Sequence, residues 1–104
     1  MKATRWATYE VGDNRFLVSE KGEVINLDKL RTVLPRMITQ GFWGFSLNGR
    51  GEVHLASLVA RAFNAPGATH EPRWLAYKDK NIRNCALTNL EFVGIEYFQN
   101  ENPS

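Results

Sequence analysis

A single cysteine, Cys85, is the chain's whole supply of thiol, which excludes an internal disulfide framework and a cysteine-built zinc site. Histidine is almost as scarce. His54 and His70 stand alone, and neither has metal-ligand spacing to a partner. No apolar run approaches the roughly 20 residues of a membrane span. The opening MKATRWATYEVGD has neither the apolar stretch nor the cleavage site of a signal peptide. Glycine-rich phosphate loops and nucleophile elbows are missing too. The acids Glu71, Asp79 and Glu91 are spread over what reads as loop and strand, so no carboxylate pair offers itself for acid–base work. These absences predict a cytoplasmic chain with no membrane segment, no cofactor and no metal site.

What is present is 104 residues, 43% hydrophobic and 12% aromatic, enough for one small compact core and one domain. The net charge is only +2, but it is unevenly spread. Residues 1–28 carry four Lys/Arg against five acids. Residues 29–84 carry nine (Lys29, Arg31, Arg36, Arg50, Arg61, Arg73, Lys78, Lys80, Arg83) against three (Glu52, Glu71, Asp79). Residues 85–104 carry three acids and no base. A basic middle between acidic ends suits a polyanion, and is equally an ordinary hydrated surface.

Turn signals divide the chain. Strands are predicted over 5–10, 15–19 and 23–26, separated by Gly12-Asp13-Asn14 and Glu20-Lys21-Gly22. A further strand at 42–47 meets the hairpin signal Asn48-Gly49-Arg50-Gly51 and returns at 52–55. Residues 56–63 (ASLVARAF) read as a helix, with Leu58, Val59, Ala62 and Phe63 as its apolar face. Asn64-Ala65-Pro66-Gly67 ends it, and 67–73 is a loop. Residues 74–77 and 90–93 read as two short strands. Between them lie Asp79, Asn81, Asn84 and Asn89, side chains suited to bonding the backbone of their own loop. Residues 94–100 look like a last helix.

The stretch WLAYKDKNIRNCALTNLEFV resembles the core of the HNH endonuclease family, written roughly V-N-H-x-D-G-N-x-x-N-N, then N-L-E-W-V. Asp79, Asn81, Asn84, Asn89, Leu90, Glu91 and Val93 keep that pattern. Upstream, residues 16–26 (FLVSEKGEVIN) are similar to Y-x-V-S-N-x-G-R-V-x-S, the opening of a module that precedes many HNH homing endonucleases. Leu34-Pro35-Arg36, the step Gly41-Phe42-Trp43-Gly44 and the helix residues Leu58-Val59-Ala60 and Ala62-Phe63 follow in the module's order. The resemblance extends over about residues 16–93. It implies an α+β fold: a small antiparallel sheet and one helix, then a ββα-metal unit. It also implies a boundary inside the single domain 1–104, with about 5–52 as the β module and about 53–100 as the HNH-like core.

In active members the motif histidine is the general base. The residue before it and an Asn or His on the helix hold a divalent metal. Here those positions read Tyr77, Ala76 and Phe98; the helix histidine and arginine of the module have likewise become Ala56 and Ser57. A tyrosine, with a reference pKa of about 10, is protonated near neutral pH, and alanine and phenylalanine offer a metal nothing. The expectation is therefore a catalytically inactive HNH-like protein that binds DNA or another polyanion through a basic central face. Arg50, Arg73, Lys78, Lys80 and Arg83 are the candidate contacts, and Asp79, Asn81, Asn84 and Asn89 are the loop-structuring residues. Trp43 belongs either to the core or to a groove contact, His54 to a strand face. Chains of this kind are often phage-encoded, which would place this one in the host cytoplasm. One alternative is a phage-type inhibitor that docks on a host protein or defence complex. Another is a metal-dependent endonuclease whose ligands have moved to His70 and Asn100. Oligomeric state and target are not legible.

Overall fold

A computed structural model describes residues 3–47 and 51–101, with the backbone only for Gln40, Asn100 and Glu101. Structural counts refer to these residues. Three antiparallel sheets and two helices make an α+β fold.

The first sheet has the order β1-β2-β3-β4. Strands β1 (Trp6–Val11) and β2 (Asn14–Ser19) pair with Val11 opposite Asn14. Along β1, exposed Trp6, Thr8 and Glu10 alternate with half-buried Ala7, Tyr9 and Val11, the period-2 signature of a sheet with one wet face. Strand β3 (Val24–Asn26) follows a tight turn organised by Ser19. The Ser19 hydroxyl oxygen is fully buried yet satisfied, accepting the Lys21 and Glu23 amides at 3.2 and 3.0 Å. Strand β4 (Arg31–Val33) was not expected: it is three residues long and carries two exposed side chains, so no alternation marks it.

The second sheet is β5 (Arg36–Met37), β6 (Trp43–Ser46) and β7 (Glu52–His54) in that order. Strand β5 also went unread, because Pro35 and two exposed residues hide a two-residue pairing. The turn expected at Asn48-Gly49-Arg50 lies outside the described residues. At Gly44, a Cβ would stand 1.8 Å from the Val53 carbonyl oxygen of β7, so only glycine fits this crossing.

Helix α1 (Leu55–Ala62) takes the last residue assigned to the return strand. Its buried face matches the expected one at Val59 and Phe63 and differs at Ala62 and on the side of Ala56 and Ala60. Leu55, Ala56, Val59 and Ala60 are buried, Leu58 is half-buried and Ala62 is exposed. The small pair Ala56/Ala60, one turn apart, lets the backbone lie close to the sheet; counting large side chains alone mislocates the stripe.

The third sheet is the hairpin of β8 (Trp74–Tyr77) and β9 (Leu90–Val93), with Tyr77 opposite Leu90 and Trp74 opposite Val93. Helix α2 (Ile95–Glu101) folds back on it, and Phe98 meets Trp74 edge-on at a ring separation of 5.0 Å. One core joins all three parts: Phe16, Val18 and Val24, then Phe45, Leu55 and Val59, then Cys85 and Leu90. Burying Leu90 completely contributes about 1.5–3 kcal/mol. Backbone bonds lock the third part to the first two, Leu87 N–H to the Glu20 carbonyl at 2.7 Å and Phe92 N–H to the Pro66 carbonyl at 2.8 Å. Among the described residues, no helix is long and apolar enough to cross a membrane.

Candidate functional site

The loop from Lys78 to Asn89 is built by its own side chains. Asn89 is 7% exposed and sits at the centre. Its Oδ1 accepts the Asp79 amide at 2.9 Å, and its Nδ2 donates to Asp79 Oδ1 and to the Asn84 carbonyl, both at 2.9 Å. Asp79 also accepts the Asn81 amide (2.8 Å) and Asn84 Nδ2 (2.8 Å). Asn81 Oδ1 accepts the Arg83 amide at 3.1 Å. The side-chain bond from Asn84, with those from the Asn81 backbone and Asn89, holds the Asp79 carboxyl below the usual carboxylate range. The Asp79 oxygens are therefore turned into the loop.

Between the hairpin and α2 runs a groove of about 220 Å³, lined by Leu75, Ala76, Tyr77, Lys80, Val93, Tyr97 and Phe98. Here Ala76 and Phe98, far apart in sequence, meet with Tyr77. The Tyr77 hydroxyl lies 3.1 Å from His54 Nε2. Ser57 Oγ, on the first turn of α1, lies 2.8 Å from His54 Nδ1. Burial pushes the Tyr77 phenol up to about 12, with the Cys85 thiol adding to it, and pulls the His54 imidazole below 6.5. With a protonated phenol and a neutral imidazole, either tautomer keeps both contacts. The Phe42 ring lies against His54 at 4.4 Å. His54 also borders a cleft of about 560 Å³ with Tyr9, Ser57 and Arg61.

His54 stands on a strand face as expected, but sequence reasoning missed its contact with Tyr77. It ends β7 and precedes α1, while Tyr77 lies 23 positions on. Only the docking of α1 against the hairpin brings them together, and no local spacing signals it. His70 goes elsewhere: a Cβ added to Gly94 would stand 2.8 Å from its Nδ1, at the far end of the hairpin from Tyr77. Asn100 has no described side chain.

A ββα-metal unit implies a divalent ion, and the donor set here does not fit one. Ala76 and Phe98 carry no donor atom, and the Tyr77 oxygen is engaged by His54. Among the described residues, no three of His, Cys, Asp and Glu gather closely enough to hold a metal.

Among the described residues, the candidate contact cations are exposed, and three of them lie over neighbouring rings, Lys80 and Arg83 at the loop and Arg73 at the other end of the hairpin. Arg83 lies over the half-buried Trp43 at 4.9 Å, and Arg73 over Phe92 at 4.9 Å, donating to the Ala68 carbonyl at 2.5 Å. Lys80 Nζ lies 5.9 Å from the Tyr97 ring centre, and its backbone takes φ +63°. Lys78 is exposed at the end of β8. Arg50 lies outside the described residues. Cys85 is buried, its thiol 3.5 Å from the Ile82 carbonyl oxygen and pushed up to about 11 by burial.

No protein-family model matches the chain, and no curated protein sequence matches it. Among solved structures it is similar to the HNH homing endonuclease I-HmuI, seen in a structure of DNA binding and cleavage, with a TM-score of 0.64 and 26% identity. The likeness covers 83% of this chain and 50% of the other, so the chain spans about half the length of that relative. Its α+β architecture is HNH-endonuclease-like.

Proposed function

We propose that this chain is a catalytically silent HNH-type protein that grips DNA. The observation that carries the reading is the lining of the groove between hairpin and α2. A protonated phenol turned onto His54, a methyl and a benzyl ring meet where the resemblance expects a base and two metal ligands. Phosphodiester hydrolysis needs a proton acceptor active near neutral pH and stabilisation of charge on phosphate. His54 is not among the side chains that line this groove; its ring nitrogens meet Ser57 and the Tyr77 phenol. The exposed cations Lys78, Lys80 and Arg83 around a loop fixed by Asp79, Asn81, Asn84 and Asn89 support phosphate contact, as does the relative's DNA complex, while Arg73 would contribute from the other end of the hairpin. In this reading, the chain is one domain working in a cytoplasm, a host's if it is phage-encoded.

Affinity for mixed-sequence duplex should fall steeply with salt, because neutralised phosphates release counterions. Reversing Lys78, Lys80 and Arg83 to Glu should weaken binding by at least about tenfold at low salt, and no nicking of plasmid should occur with magnesium or manganese. Chelator-sensitive nicking by the unaltered chain would overturn the silent reading.

One observation favours a second reading, docking on a protein. Leu34 is 82% exposed, with Met37 and Phe42 also exposed nearby in sequence, an apolar offer that phosphate does not use. Such a partner would be captured from nuclease-treated lysate, would tolerate salt and would survive the charge reversal.

A further inference from the structure

Residues 27–30 connect β3 to β4, whose pairing resumes with Asn26 opposite Arg31. Leu30 closes this turn at φ +52°, a left-handed conformation that glycine or asparagine adopts at far less cost than leucine. Its side chain is 81% exposed and is not among those packed on the core. The fold therefore gains nothing from a leucine here, in backbone or in burial. The turn that presents it is braced. Asn26 Oδ1 accepts the Asp28 and Lys29 amides at 2.9 and 3.0 Å. Asp28 accepts the Arg15 amide, Nε and Nη2 at 2.9, 3.2 and 3.1 Å. The one acid of the turn is thus matched by Arg15, and the charges that flank Leu30 are those of exposed Lys29 and Arg31. A strained, exposed residue on a rigid support is where function is to be sought.

We propose that this tip is a DNA wedge. Leu30 enters between neighbouring base pairs and kinks the duplex, while Lys29 and Arg31 hold phosphates on either side. Apolar wedges used this way gain bent DNA that wraps more protein surface. Cations on both sides of Leu30 favour the duplex over a protein partner. The inference rests on the DNA-binding reading and adds a second, deforming contact to it.

Leu30→Gly removes the wedge and relieves the backbone, so the fold should be kept or slightly stabilised, checked by Tm. The probe is a mixed-sequence duplex of about 120 bp, shorter than the roughly 150 bp persistence length. The unaltered protein should speed its ligase-driven cyclisation at least about tenfold, and should raise the fluorescence of 2-aminopurine placed in the duplex as bases unstack. Leu30→Gly should bind within about threefold of the unaltered affinity at low salt, with the same salt slope, yet return both signals to the level of free DNA. Binding by the unaltered protein without bending or unstacking sinks the wedge alone, as does a Leu30→Gly variant that bends DNA equally well. No duplex binding at low salt removes the DNA reading and the wedge together; salt-tolerant capture of a protein partner that needs Leu30 would reassign the tip.

Discussion

The loop from Lys78 to Asn89 and the groove beside it are made by the same hairpin, yet they are opposites. In the loop, Asp79, Asn84 and Asn89 bond one another and the backbone. In the groove, the facing side chains of Ala76 and Phe98 have nothing to bond with. The loop's polar groups hold the hairpin in shape, so losing one costs stability. The Ala76 and Phe98 side chains are carbon only, and the hairpin keeps its register without polar groups at these two positions. Framework and reactivity are separable here, residue by residue.

The largest test places polar groups in the groove. A variant carrying Ala76→Asp, Tyr77→His and Phe98→Asn should nick plasmid in manganese or magnesium at least about 100-fold above the unaltered chain, the lower end of what a placed general base contributes. A well-folded variant that still fails to nick would show that these three side chains do not suffice for cleavage. Next, Asn89→Ala should cost roughly 3 kcal/mol, because it strips three hydrogen bonds and leaves buried groups unpaired. For a domain of this size that lowers Tm by roughly 12–24 °C; a drop of only a few degrees would contradict the loop's structural weight.

Tyr77→Phe removes the hydroxyl from His54 and should cost only about 1 kcal/mol in urea unfolding. The imidazole beside it makes stability depend on pH. Its folded-state pKa lies below 6.5, so the unfolded chain binds the proton first. Stability is intact above 6.5 and declines as pH falls from there through the folded-state value. His54→Gln should flatten Tm against pH over that window. The smallest effect belongs to Arg83→Ala, at about 0.5–1 kcal/mol for an exposed cation lying over Trp43, with a shift in tryptophan emission as its marker.

Much of the architecture was legible because glycine, asparagine and alternation mark it. The first three strands, the strand following Phe42, the terminal hairpin and both helices fall within a residue or so of their expected bounds. Strands β4 and β5 were not legible. They are only two or three residues long, and Arg31, Thr32, Arg36 and Met37 are exposed, so no alternation marks them. The face of α1 was legible at Val59 and Phe63 but not at Ala56 and Ala60, which are buried without a large side chain to mark them. At the site, the motif named Ala76, Tyr77 and Phe98, and the fold lines them along one groove. The bond from Tyr77 to His54 depends on how a helix docks on a distant hairpin, which no window along the chain contains.

Cys85 carries a practical consequence. A thiol that is 3% exposed and pushed up to about 11 holds only about one thiolate in ten thousand at pH 7. Maleimides and mild oxidants should pass it by. A cysteine introduced at Lys29 or Lys78 would then be the single reactive handle on the molecule, so fluorophores or spin labels can be placed at the turn tip or the basic loop without first removing the native sulfur.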